Sequence, residues 1–171
     1  MNAAAVRRRA FLSLGSNLGD REGRLAGARE ALAALPGTTL LAASRVYETA
    51  PRDLADQPSF LNQVVCLETG LAPRELLAAC QEIERRAGRE RGVRFGPRTL
   101  DVDILLLEGA QSDDPELTLP HPRLWQRAFV LVPLAEVWTY ARGMPDADVP
   151  ALAARLAPEQ GVALHRAAED Q

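Results

Sequence analysis

The chain has no lysine: all 20 of its Lys+Arg residues are arginine. A P-loop needs its lysine on the phosphates, a protein kinase needs its strand lysine, and a pyridoxal enzyme needs a lysine for its Schiff base. None of these chemistries is available in standard form. Any phosphate bound here is held by guanidinium groups. Cysteine is scarce too, with only Cys66 in an apolar run and Cys80 on an expected helix face. Neither has C-x-x-C spacing or a nearby histidine cluster, which predicts buried free thiols in a reducing compartment. Also missing is any apolar run long enough to span a bilayer. The net charge of −3 gives no cationic excess for coating a nucleic acid or a membrane surface. The start "RRRAFLSLG" imitates a twin-arginine export signal, yet polarity returns within a few residues in "SNLGDREGR", so a cytoplasmic location is expected. What remains is 171 residues with 47% hydrophobic content, the size of one domain with a substantial core.

"AFLSL" (10–14) reads as a strand, and the following segment as a helix starting near Asp20 and ending before Pro36-Gly37. "TTLLAASRVYET" (38–49) is expected to be a second strand, "APRDLADQPSF" a loop, and "LNQVVCLET" (61–69) a third strand. A second helix, "PRELLAACQEIERRAG", has Pro73 in its first turn and Gly88 at its stop. Leu76, Leu77, Cys80, Ile83 and Ala87 fall on one of its sides, and Gln81 and Glu84 share a more polar one. The arginine-rich "RERGVRFGPR" is a loop before a fourth strand, "LDVDILLLEG". The order β-α-β-β-α-β predicts an α+β, ferredoxin-like fold: an antiparallel sheet, both helices on one face, the other face open to a ligand. After it come a polar loop, "AQSDDPE", the segment 117–138, and a tail in which "VPALAARLAPE" forms one more helix.

Asp101 and Asp103 stand at i and i+2 near a strand start, so both carboxylates project from one face. Magnesium suits such a pair, because it favours oxygen ligands, keeps waters, and is commonly shared between carboxylates and substrate phosphates. A bare D-x-D is more often a polar strand end whose aspartates pair with nearby arginines. Six arginines (Arg85, Arg86, Arg89, Arg91, Arg94 and Arg98) directly precede the pair, and cations beside a metal-type site suggest polyphosphate. Arg85 and Arg86 are the exception, being well placed to complement a helix C-terminus. His121 in "LPHPR" could meet a phosphate or simply shape a turn. Phe60 and Phe129 could be core residues, although two aromatic faces plus the amide of Asn62 would suit a flat heterocycle.

With these residues in view, the chain resembles the 6-hydroxymethyl-7,8-dihydropterin pyrophosphokinases. The likeness runs through "FLSLGSNLGD", "SRVYETAP", "DQPSFLNQVV", "GPRTLDVDILL" and "LPHPRLWQRAFVLVPLAEV", about residues 10 to 138. It implies a single pyrophosphokinase domain over residues 1–171, with a motif-free tail at 139–171, moving pyrophosphate from ATP to the pterin hydroxymethyl group in folate biosynthesis. It also implies two magnesium ions held by Asp101 and Asp103, with Arg89 and Arg98 joining them in catalysis. By the same resemblance Gln81, Glu84, Arg91, Arg94, Phe95, Ile104, Thr118, His121 and Arg127 surround ATP. The pterin lies between Phe60 and Phe129, with Asn62 and the backbone of Thr49, Ala50, Pro51 and Arg52 reading its edge. Arg52 stands where the family commonly has an apolar residue, and Phe95 where tryptophan can occur. ATP and the pterin are the expected partners of a monomer that engages neither nucleic acid nor membrane. Two other classes fit less well. A metal-dependent glycosyltransferase usually needs a larger domain, and an RNA-binding module needs exposed aromatic pairs on its strands.

Overall fold

Strand β1 (Arg8–Ser16) is buried along nearly its whole length because it is central. It pairs antiparallel with β4 (Phe60–Thr69) on one side and with β5 (Asp101–Leu107) on the other. These relations come from a computed structural model that describes residues 6–49, 59–89 and 100–165.

Two helices cover one face of the sheet. Helix α1 (Arg21–Ala33) is capped by Asp20, whose carboxylate accepts the Gly23 N–H at 3.0 Å. Helix α2 (Pro73–Arg89) opens on proline, and the Glu75 carboxylate accepts the Ala72 N–H at 2.8 Å. Leu76, Cys80 and Ala87 of the expected stripe are buried, and Leu77 and Ile83 pack beside them. They meet Leu25, Ala28 and Leu32 of α1, Ala10, Leu12 and Leu14 of β1, and Val102 and Ile104 of β5. Each such side chain contributes about 1.5–3 kcal/mol by leaving water.

The single strand expected over 38–49 is two, β2 (Thr38–Ala43) and β3 (Tyr47–Thr49), both antiparallel to β4. The break comes from a contact far along the chain: the Arg45 N–H donates not to β4 but to the Glu136 carboxylate, at 2.9 Å. The polar loop after β5 is in part a hairpin, β6 (Ser112–Asp114) with β7 (Leu117–Leu119). It turns where Asp114 Oδ1 accepts the Glu116 N–H at 3.0 Å. Next come α3 (Ala128–Val137), α4 (Val149–Gln160) and β8 (Val162–Leu164). Strand β8 joins the sheet beside β3, giving the order β5-β1-β4-β3-β8 with β2 also on β4. The ferredoxin-like α+β architecture stands, with C-terminal additions.

The second face is less open than its sequence suggests. Helices α3 and α4 bury Phe11, Val64, Cys66, Leu105 and Leu106 under Val130, Leu131, Leu134, Val149 and Ala153. A β-bulge lets both Leu105 and Leu106 serve that side, since Phe11 faces Leu106 while Leu12 faces Ile104. Among the described residues, no helix covers the other end of this face. No described helix is long and apolar enough to cross a membrane.

Candidate active site

At the uncovered end the apolar row of the sheet gives way to small and polar residues. Gly15 of β1 stands opposite Asn62 of β4 and Asp101 of β5, and Ser13 stands opposite Asp103. Directly opposed residues of antiparallel strands share a face. The two aspartates therefore look to the same side as Gly15, Ser13 and Asn62. There they line a cavity of about 580 Å³, together with Thr49, Phe60, His121, Arg123, Gln126, Arg127, Phe129 and Gln160.

Each wall is fixed by backbone. The Glu84 carboxylate on α2 accepts the Val102 N–H at 2.9 Å, tying the start of β5, and so both aspartates, to the helix. The His121 N–H donates to the Leu105 carbonyl at 2.9 Å, which anchors the "LPHPR" turn to the same strand. Across the floor, Asn62 Nδ2 donates to Thr49 Oγ1 at 2.9 Å, and Asn62 is buried. The Arg127 guanidinium lies 5.4 Å from the centre of the Phe129 ring, a cation–π arrangement.

The electrostatics are mixed by design of the strands. Burial pushes the His121 imidazole below its usual value of 6.5, and the charges of Arg127 and Arg123 act in the same direction against the pull of Asp103. The Arg123 N–H donates to His121 Nδ1 at 3.3 Å, so the neutral ring carries its proton on Nε2 and offers it as a donor. Burial, with Arg123 nearby, also lowers Arg127 from 12.5, which leaves it a cation at neutral pH. Two guanidinium groups and a donor imidazole thus face two carboxylates. Such a site takes a polyanion once a cation joins the carboxylates. Among the described residues no group of three or more His, Cys, Asp or Glu gathers to hold a metal. The protein's donors there are the aspartate pair, which is the donor set magnesium takes when phosphates and water complete its shell.

Of the residues singled out in the sequence, Thr49, Phe60, Asn62, Asp101, Asp103, His121, Arg127 and Phe129 line this one cavity. Ile104, Gln81 and Thr118 do not bring their side chains to it. Ile104 points the other way, into the core under α1 and α2, because its neighbours Asp103 and Leu105 take the cavity side. Gln81 is exposed on α2, and the Thr118 hydroxyl donates within its hairpin to the Asp114 carbonyl at 3.0 Å. Arg89 is the last residue of α2. Ala50, Pro51, Arg52, Arg91, Arg94, Phe95 and Arg98 lie outside the described residues. Ser13, Gly15, Arg123, Gln126 and Gln160 were not singled out. Arg123 had a signal, since it precedes Arg127 by four residues in the same motif, whereas Gln160 had none. Cys66 and Cys80 are free and buried, as expected.

Comparison with known proteins follows the same outline. Residues 11–139 match the family model described as 7,8-dihydro-6-hydroxymethylpterin-pyrophosphokinase. The chain is 52% identical over 129 residues to 2-amino-4-hydroxy-6-hydroxymethyldihydropteridine pyrophosphokinase of Methylorubrum extorquens, covering 75% of this chain and 82% of the relative. It is 47% identical over 128 residues to the Bacillus subtilis protein of that name, covering 75% and 77%. Among solved structures it is similar to wild-type Plasmodium falciparum HPPK-DHPS, with a TM-score of 0.65 and 13% identity, a likeness of fold. The match covers 90% of this chain and 46% of that longer one.

Proposed function

The chain belongs to the 7,8-dihydro-6-hydroxymethylpterin-pyrophosphokinase family, which makes it an enzyme that transfers pyrophosphate from ATP to 6-hydroxymethyl-7,8-dihydropterin in folate synthesis; from that premise we propose how its cavity divides the work. The observation that carries the proposal is the meeting of a carboxylate pair, two guanidinium groups and two phenylalanines in one cavity.

Phe60 and Phe129 hold the flat pterin between them. Asn62, fixed by its bond to Thr49, reads the ring edge, with the backbone of Thr49 to Arg52 beside it. Gly15 leaves room for the ring on the sheet surface. His121, through Nε2–H, and Arg127 contact phosphate oxygens of ATP, with Gln81, Glu84 and Thr118 around the nucleotide and Ile104, whose side chain is in the core, meeting it through its β5 backbone. The family resemblance adds Arg91, Arg94 and Phe95 to the nucleotide contacts. Asp101 and Asp103 would hold two magnesium ions, which would supply charge neutralisation at the phosphates of ATP.

In the reaction the hydroxymethyl oxygen of the pterin forms a bond to the β-phosphorus as the bond from that phosphorus to the α–β bridging oxygen breaks. AMP leaves and the hydroxyl proton passes to water. Arg89 and Arg98 offset charge developing on the transferred group. The protein's share is positioning and charge, with no covalent enzyme intermediate. We also read residues 1–171 as one pyrophosphokinase domain, supported by β1 and β8 contributing to the same sheet. The enzyme acts as a monomer in the cytoplasm, the location supported by its free, buried thiols.

Purified protein given ATP, magnesium and the pterin forms AMP and pterin diphosphate in equal amounts, and essentially no AMP without the pterin. Stoichiometric ADP would overturn the reading.

A further inference from the structure

Helix α4 lies wholly beyond the segment that matches the family model, which ends at residue 139. Its last residue, Gln160, nevertheless lines the cavity. Both polar ends of its side chain are engaged: Oε1 accepts the Ala128 N–H at 2.8 Å, and Nε2 donates to the Gln126 carbonyl at 3.0 Å. Those two backbone groups lie on either side of Arg127.

The bridge answers a local need. Helix α3 begins at Ala128, and Arg127 at its N-cap makes no side-chain capping bond. The first N–H groups of a helix have no partner within it, so Ala128 requires an acceptor from elsewhere. Arg127 is extended, with φ −112° and ψ 106°, between a 3-10 turn at Leu124–Gln126 and the helix. One planar amide, reaching from another helix, closes the peptide groups before and after it. The orientation of Arg127, and of Phe129 under its guanidinium, follows from those two peptide planes.

Gln160 is itself held in place from behind. Gly161 ends α4 in the left-handed conformation, φ 64°, and the next residue, Val162, pairs with Thr49 on β3. Thr49 is the hydrogen-bond partner of Asn62. The same tail thus meets the cavity twice, through Gln160 itself and through the pairing of Val162 with Thr49.

We propose that Gln160 is a positioning residue for both substrates, acting through the Gln126 and Ala128 backbone on Arg127 and Phe129. Its own polar atoms are committed to backbone, so it places the ligand contacts without being one. The inference rests on the reading of Phe129 as a pterin wall and Arg127 as a phosphate contact.

The test is steady-state kinetics with each substrate varied in turn. Gln160→Met keeps the side-chain volume and loses both hydrogen bonds. It should raise KM for the pterin and for ATP roughly 3- to 10-fold, with kcat much less affected. Gln160→Glu keeps the acceptor for the Ala128 N–H and should fall between the parent and Gln160→Met; it carries the test if the methionine variant does not fold. The exposed neighbour Glu159→Ala is the control and should match the parent. Phe129→Ala should raise the pterin KM by itself, and adding Gln160→Met to it should raise that KM little further. A lower Tm in Gln160→Met with both KM values unchanged would overturn the proposal, leaving Gln160 a purely structural link. An unchanged pterin KM in Phe129→Ala would instead overturn the wall assignment, and the positioning role with it.

Discussion

Gly15→Ala tests the cavity floor with a single methyl group. The glycine is not there for backbone freedom, since its φ is not positive. It is there for space: a Cβ at this position would stand 3.3 Å from Asn62 Oδ1 and 3.9 Å from the Leu61 carbonyl oxygen. Ordinary heavy-atom contacts begin at about 3.5 Å. Asn62 must therefore retreat by a few tenths of an ångström, yet it is buried and bonded to Thr49 at 2.9 Å. Crowding a packed site costs about 1–3 kcal/mol. Part of that cost falls on the free protein, for which a loss of about 1 kcal/mol lowers Tm by about 2–4 °C at this chain length. The remainder falls on the complex, because the displaced amide no longer meets the ring edge and the methyl occupies its plane. A penalty of about 1–2 kcal/mol corresponds to about a 5- to 30-fold rise in the pterin KM. The KM for ATP should stay within about twofold, since the phosphate contacts proposed above, His121 and Arg127, lie away from the Asn62 amide that the methyl displaces. Initial rates at saturating ATP, with calorimetric pterin binding as a second measure, decide the matter. A folded Gly15→Ala enzyme with an unchanged pterin KM would refute the placement of the ring over Gly15, as would equal rises for both substrates.

Asp101→Ala and Asp103→Ala should each nearly abolish turnover and leave circular dichroism and Tm close to the parent, because both side chains face the cavity and not the core; near-parental activity at saturating magnesium in either would remove the metal assignment. Burial raises the Cys66 and Cys80 thiols to about 11 and about 12, so native protein at pH 8 should resist alkylation that modifies both cysteines in denaturant, as read by mass spectrometry. His121 should titrate below 6.5 in the free enzyme, and a bound polyphosphate should raise that value, so ATP should bind more tightly as pH falls from 7 towards 6; nuclear magnetic resonance of the imidazole and an affinity that weakens on acidification would separate the outcomes. Glu48 is held below its ordinary 4.5 by hydrogen bonds from Ser59 and Arg21. The stability it contributes is present above that value and is lost as pH falls through the lowered one. Glu48→Gln should therefore flatten the dependence of stability on pH below about 4.5, and an unchanged slope in urea titrations would count against the pair.

The parts of the fold legible in the sequence were those whose pattern is local. Helix α2 declares itself by Pro73, by its apolar stripe, and by a length that matches the observed Pro73–Arg89. The two aspartates declare a shared face by their spacing alone, and the strand register bears that out by setting them opposite Gly15 and Ser13. Less visible was anything decided by a partner far along the chain. The strand over 38–49 breaks because Arg45 is drawn to Glu136, 91 residues away, and no feature of "AASRVY" announces that. Ile104 illustrates a different limit. The family resemblance sets it near ATP, and alternation along the strand, which sends its side chain to the opposite face from Asp103, leaves its backbone for that role.

The C-terminal segment shows why a motif-based reading ends before the structure does. Motifs mark residues whose chemistry is specific, and nothing in "VPALAARLAPEQGVAL" is chemically distinctive. Its contribution is geometric. Val149 and Ala153 close the core over Phe11 and Val64, β8 supplies β3 with a partner, and Gln160 supplies two hydrogen bonds to backbone. A strand as short as Tyr47–Thr49 has little hold on its own, and β4 on one side with β8 on the other fixes it in the sheet. Since Thr49 orients Asn62, the precision of the proposed ring-edge contact depends on three residues, Val162 to Leu164, that no site motif contains. Other sequences could meet the same geometric requirement, which is why it leaves so faint a trace in this one.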